Sequence, residues 1–151
     1  MRPLVLTILF LQLLIVPAWP EDTDDNILLI GVDGAEWEVI NELLDQGRLP
    51  NIKHLIANGA RGKLQATLPL ISPAIWTEII TGKSRKKHGI LEFTSKLPET
   101  NVSIPVSSNM RKTDALWSIL GNNSKSAGIV GWWATWPAEK VNTISYGDPC
   151  G

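Results

Sequence analysis

Ile27-Leu28-Leu29-Ile30-Gly31-Val32 is a short apolar run that stops on Asp33-Gly34. Acids lie just before it, at Asp22, Asp24 and Asp25, and a glycine follows its terminal carboxylate. A run of this length between turn signals is the pattern of a strand buried on both faces, as strands are in parallel sheets. Such a strand needs helices to cover it, so the rest of the chain is expected to alternate.

The following sequence carries that alternation. Trp37, Ile40, Leu43 and Leu44 recur at helical spacing, and Gly47 marks the end of that helix. Leu49-Pro50-Asn51 opens a second helix, with Ile52, Leu55 and Ile56 on one side and Asn58-Gly59 as the stop. Gly62 to Leu68 alternates as a strand does. Pro73 to Ile80 reads as a helix with proline in its first position, where the missing N–H costs nothing. Asn101 to Met110 is polar and reads as a loop or short strand. Thr113 is expected to cap a helix from Asp114 to Leu120, ended by Gly121-Asn122-Asn123. Ala127 to Trp132 returns to a buried strand. This rhythm is that of a layered α/β fold with a parallel sheet, and no internal repeat interrupts it.

Composition narrows the function classes. Apolar residues make up 44% and charged residues 19%, a globular balance. The net charge of −1 and a pI of about 6.1 leave no electrostatic footprint for nucleic acid, which needs a strongly basic face. Four cations fall in the five residues Lys83 to Lys87, and the run reads as a solvated loop, with a site for an anionic substrate as the weaker alternative. Four of the seven tryptophans, at 117, 132, 133 and 136, suggest a wall of core or pocket.

The N-terminus reads as an address. Arg2 supplies a short positive region, and Leu4 to Val16 is apolar except for Thr7 and Gln12. Thirteen such residues are too few for a helix across a bilayer core of about 30 Å. Val16-Pro17-Ala18 places small residues at the two positions a signal peptidase reads. Residues 1–18 are therefore expected to be a cleaved signal peptide rather than a retained membrane anchor, with the protein exported to a secreted or periplasmic location. Cys150 is the single cysteine and forms no intramolecular disulfide. Asn101-Val102-Ser103 and Asn122-Asn123-Ser124 fit the glycosylation tripeptide, a frequent chance pattern.

Two residues carry candidate chemistry. Asp33 would lie at the C-terminal end of the first strand, where open α/β sheets place their ligand sites. A simple Asp-Gly turn is the plainer explanation of the same two residues. Ser72 precedes Pro73 and would occupy the N-cap of the following helix. There it is either an ordinary cap bonding backbone N–H groups, or a hydroxyl set at the positive end of a helix dipole that favours a phosphoryl oxygen. A carboxylate and a hydroxyl so placed are half of a metal-assisted phosphoryl-transfer site.

From Asn26 to about Val141 the chain resembles the N-terminal part of the type I phosphodiesterase/nucleotide pyrophosphatase family, within the alkaline phosphatase superfamily. The matching pieces are Ile30-Gly31-Val32-Asp33-Gly34-Ala35, Leu49-Pro50-Asn51, Ser72-Pro73 through Thr81-Gly82, His88-Gly89-Ile90, and Trp132-Trp133-Ala134-Thr135-Trp136-Pro137-Ala138. The resemblance implies a metal-dependent phosphoric ester hydrolase acting on small-molecule phosphate esters. It implies two divalent metal ions, zinc by analogy, with Asp33 as a metal ligand. Ser72 would be both the phosphorylated nucleophile and a metal ligand.

The departures are specific. In the nucleotide pyrophosphatase branch a Phe-Pro-Asn follows the nucleophile, whereas here Pro73-Ala74-Ile75 follows Ser72. His54 and His88 are the only histidines, and no Asp-x-x-x-His or Asp-His pair is present to complete a two-metal cage. By the same resemblance, the remaining metal ligands are expected beyond Gly151. His54 is expected on a helix surface and His88 in a structural His-Gly turn. Residues 19–151 are thus expected to be the N-terminal portion of an incomplete alkaline-phosphatase-like domain, inactive alone. A phosphomonoesterase, a sulfatase-like or phosphomutase-like enzyme, or a non-catalytic scaffold on the same frame are the alternatives.

Overall fold

The computed structural model describes residues 26–140, together with the backbone of 144–146. The expected signal peptide, Cys150 and Gly151 lie outside the described residues. The chain divides at Val32 into two units, each taken by itself here.

Of the first unit, residues 26–32 are described. They form no strand, and Ile27, Leu28, Ile30 and Val32 are largely exposed. The buried strand expected here is not formed, and the reason is physical. A strand exists through ladder hydrogen bonds to a neighbour, and no described segment pairs with this one. The same holds for Gly62 to Leu68, which is irregular and exposed rather than a strand.

The second unit starts with two helices. α1 spans Trp37–Asp45, and its C-cap Gln46 and Gly47 return hydrogen bonds to the last carbonyls, Gly47 N–H donating to Leu44 at 3.0 Å. α2 spans Pro50–Asn58 with proline in its first turn. Beyond its end, Arg61 sits over the Trp37 ring at 5.0 Å and donates to Asn41 Oδ1 at 3.2 Å. The guanidinium therefore covers the exposed side of α1 through its flat face and its N–H fork together.

α3 runs Ser72–Thr81 and is the best-buried helix among the described residues, with Pro73, Ala74, Thr77, Ile80 and Thr81 all inside. The threonines enter the core only because their hydroxyls are satisfied locally. Thr77 donates to Pro73 O at 2.7 Å and Thr81 to Thr77 O at 2.6 Å. Gly82 ends the helix at φ 61°, a left-handed cap that glycine adopts without a Cβ penalty. The run expected as a solvated loop then forms a short helix, α4, over Arg85–His88. Lys83, Lys86 and Lys87 are exposed as expected, but Arg85 is drawn inward by its partners.

Two small ladders follow. β1 (Thr94–Lys96) pairs antiparallel with β2 (Ser103–Pro105), Ser95 opposite Ile104. A single 3₁₀ turn covers Ser108–Met110. The next helix, α5, spans Leu116–Asn122, two residues later than expected. Ala115 is fully buried with extended dihedrals of −86° and 163°, so the helix cannot start before it, and Thr113 caps nothing among the described residues. β3 (Gly128–Val130) pairs parallel with β4 (Ile144–Tyr146), Ile129 opposite Ser145. Of the strand expected at 127–132, three residues join the ladder and only Ile129 of them is buried. A layered parallel sheet is not seen; among the described residues the only parallel pairing is β3 with β4.

The core forms where α3, α5 and β3 meet. Ile80, Ala115, Trp117, Ile129 and Trp132 pack together, with Trp76 and Ala127 at the margin. Trp76 and Trp132 meet edge to face, with centroids 4.7 Å apart. A second cluster joins Ile90, Val106 and Ala134. The expected tryptophan wall is half right. Trp117 and Trp132 are core, Trp133 is half-buried against Phe93, and Trp136 is 60% exposed.

Candidate functional site

Asp33 opens the second unit in a turn with Gly34, not at the end of a strand. Gly34 has φ +69°, which glycine tolerates, and its N–H donates to Asp33 Oδ1 at 3.1 Å. The Asp-Gly turn and the site are thus the same feature. The turn leaves Oδ2 facing outward, and Ser72 meets it there. Ser72 Oγ donates to Asp33 Oδ2 at 3.2 Å, with Oδ1 at 3.5 Å. Two residues 39 positions apart are brought together, as their chemistry required.

Ser72 does not cap α3. Ile71 holds the N-cap position at φ −111° and ψ 111°, and Ser72 is the first helical residue. Its hydroxyl is therefore free of the backbone and turned to the carboxylate. The first N–H groups of a helix have no intrahelical acceptor, and they carry the positive end of its dipole. Pro73 contributes none and Ala74 is fully buried, which leaves that of Ser72 beside the hydroxyl. The helix behind is fixed, because Trp132 Nε1 donates to Trp76 O at 3.2 Å and Ile80 sits in the core. The Ser72 hydroxyl is thus held between the Asp33 carboxylate and a fixed helix end.

The sequence did not single out Arg85, yet it organises the approach to Ser72. Its Nη2 donates to Thr67 O at 2.6 Å and its Nη1 to Pro69 O at 2.7 Å. Its Nε lies 3.4 Å from Glu78 Oε1 on α3. The one available signal was an arginine among lysines, since a planar guanidinium can donate to two carbonyls from separate nitrogens and still face a carboxylate.

The histidines take separate roles. His54 is exposed on α2, as expected, and its carbonyl and Nδ1 face the Asn58 amide. His88 is fully buried. Its Nδ1 accepts the Ile90 N–H at 3.1 Å, which places the ring proton on Nε2, a nitrogen without a hydrogen-bond partner among the described residues. Burial pushes its pKa below the ordinary 6.5; Glu78 opposes that, while Arg85 and Arg111 reinforce it.

No cluster of three or more His, Cys, Asp or Glu side chains that could hold a metal occurs among the described residues. Asp33 and Ser72 supply two oxygen donors, whereas a zinc site takes three or four. The described residues fit part of a metal site and do not complete one. The further ligands expected beyond Gly151 fall outside the described residues, so Asp33 and Ser72 are the expected site residues that the structure places.

A family profile described as Type I phosphodiesterase / nucleotide pyrophosphatase matches residues 27–148. The chain belongs to that family. Type I phosphodiesterases and nucleotide pyrophosphatases are phosphoester hydrolases, generally metal-dependent, acting on small-molecule phosphoesters. Within this family member, the matched span contains both Asp33 and Ser72. No curated protein and no solved structure matches the chain. No helix among the described residues is long and apolar enough to cross a membrane.

Proposed function

We propose that this chain is the N-terminal part of an exported, metal-dependent phosphate ester hydrolase that works through a phosphorylated Ser72. The domain is of the layered α/β, alkaline-phosphatase-like kind, with phosphodiesters or nucleotide pyrophosphates as the substrate class. The observation that supports it is the Ser72 Oγ–Asp33 Oδ2 contact of 3.2 Å at the start of α3, inside the family match.

Ser72 is the attacking group. Its Oγ forms a bond to phosphorus as the ester P–O bond breaks, and its proton leaves with the departing alcohol. Water then displaces Ser72 from phosphorus and restores the hydroxyl. Splitting hydrolysis in this way replaces one difficult displacement with two easier ones. Asp33 orients the hydroxyl before attack, and the N–H of Ser72 faces the phosphoryl oxygens where negative charge develops. Asp33 and Ser72 would also be oxygen donors to divalent ions, zinc by family resemblance, and a bound ion would supply neutralisation of phosphoryl charge. The further donors that such a cage needs are not found among the described residues.

The absence of Phe-Pro-Asn after Ser72 favours no nucleotide contact at Ile75, so simple diesters are the first substrates to test. The assay compares a nitrophenyl phosphodiester, a nitrophenyl phosphomonoester and a nitrophenyl sulfate in zinc, each beside Ser72→Ala. Diester turnover that exceeds the other two and disappears in Ser72→Ala supports the proposal. Sulfate turnover above both phosphates would move the protein to the sulfatase-like alternative. Residues 1–151 alone are expected to turn over little, because the described donors do not complete a metal site.

A further inference from the structure

We propose that Arg85 is a positioning residue for Ser72. The proposal rests on Ser72 being the nucleophile, and it identifies what holds that nucleophile in place.

Three facts carry it. Residues 62–68 make no ladder, so the segment delivering the chain to α3 lacks the backbone support a strand would give. Its carbonyls at Thr67 and Pro69 are held instead by one guanidinium, at 2.6 and 2.7 Å. That guanidinium is in turn held by Glu78, six residues beyond Ser72 on the same helix, and both side chains are largely withdrawn from water at 11% and 18% exposure. Arg85 therefore joins the chain just before Ser72 to the helix just after it. Leu70 is left exposed and Ile71 is the half-buried N-cap, so apolar packing alone does not fix this junction.

The chemistry explains why arginine stands among lysines here. Two carbonyls accept from the two separate Nη nitrogens of a planar fork, and the Glu78 carboxylate adds ion-pair attraction 3.4 Å from Nε without a hydrogen bond. Lysine offers one nitrogen and would have to choose between them. A displaced junction would carry Ser72 Oγ away from Asp33 Oδ2 without unfolding the core, which is built from α3, α5 and β3. Small misplacements of a reacting group are costly in rate and cheap in stability.

The test uses Arg85→Lys and Arg85→Met in two experiments. The first follows backbone hydrogen exchange in residues 1–151. Both variants are expected to speed exchange across 64–72 by roughly tenfold or more, the effect of losing charged hydrogen bonds, with α5 and β1–β2 unchanged. Unchanged exchange at 64–72 overturns the clamp, and uniformly faster exchange makes Arg85 a general stability residue and overturns positioning. The second measures single-turnover phosphorylation of Ser72 in the full natural chain. Arg85→Lys is expected to slow it roughly tenfold to a hundredfold with KM held, although the charge is kept. An unchanged rate overturns the proposal. Turnover that persists in Ser72→Ala overturns the functional assignment and this role with it, while the exchange result still reports separately whether the clamp exists.

Discussion

The hydroxyl of Ser72 donates to the carboxylate of Asp33 at 3.2 Å, across 39 residues of chain, and bonds no helix backbone. A serine at a helix start ordinarily spends its hydroxyl on the N–H groups of the first turn. Here Ile71 takes the cap position, so the hydroxyl is available for chemistry.

Ser72→Ala is therefore expected to leave stability nearly intact. Removing a true N-cap costs about 1 kcal/mol, whereas a partly exposed hydroxyl away from the cap should change stability by no more than about 0.5 kcal/mol. Urea unfolding followed by tryptophan fluorescence measures it. A loss near the full cap value would return Ser72 to the capping role.

His88 makes stability depend on acid. Burial keeps its folded pKa below the ordinary 6.5. Above that value the ring is neutral in both states and contributes no pH dependence. As pH falls through 6.5 the unfolded chain takes up a proton that the folded chain refuses, so stability declines until the lowered folded pKa is reached. Protonation would also turn Nδ1 into a donor facing the Ile90 N–H. Unfolding measured at pH 7.5 and below 6 should show this loss in the wild type and a smaller one in His88→Gln; equal slopes would remove His88 as the cause.

Glu139 holds the segment after Trp136 against α5. Its Oε2 accepts the Trp117 indole N–H at 2.7 Å, and its Oε1 pairs with Arg111, which also lies 5.6 Å over the Trp117 ring. Arg111 is 4% exposed, so Glu139→Ala leaves a withdrawn cation without its partner. The expected loss is about 2–3 kcal/mol, with Glu139→Gln milder because one amide oxygen can still accept from Trp117. Denaturation midpoints of the two variants decide it, and indistinguishable midpoints would refute the charge argument.

The helices α1, α2 and α3 were legible in the sequence and α4 was not; of the buried strands expected, the one at 127–132 forms over three residues. Trp37, Ile40, Leu43 and Leu44 predict α1, because a helix satisfies its own backbone and its periodicity is local. Ile27 to Val32 and Gly62 to Leu68 predict strands that do not form among the described residues, because a strand depends on a neighbour the local pattern cannot name. Asp33 and Ser72 stood out as candidates beside Gly34 and Pro73, where a plain turn and a plain cap explained them as well, and the family resemblance tipped the balance. Their contact is tertiary, as are the burial of His88 and the grip of Arg85 on Thr67 and Pro69. No spacing rule reports a guanidinium 16 to 18 residues from its carbonyls.

Export is the outcome expected from the charge and apolar pattern of residues 1–18. Mature protein recovered from an exporting host is expected to begin after Ala18, as N-terminal sequencing would read directly. Secreted material still starting at Met1 would contradict the signal peptide.

Covalent chemistry at Ser72 is the claim on which the rest depends. The full natural chain, mixed with a nitrophenyl phosphodiester and zinc and quenched in acid within one turnover, should carry a phosphoryl group on the peptide containing Ser72. Ser72→Ala should carry none and lose nearly all turnover, and Asp33→Asn should lose zinc affinity and rate together. Full turnover with an unmodified Ser72 peptide, or normal rates in Ser72→Ala, would contradict the account.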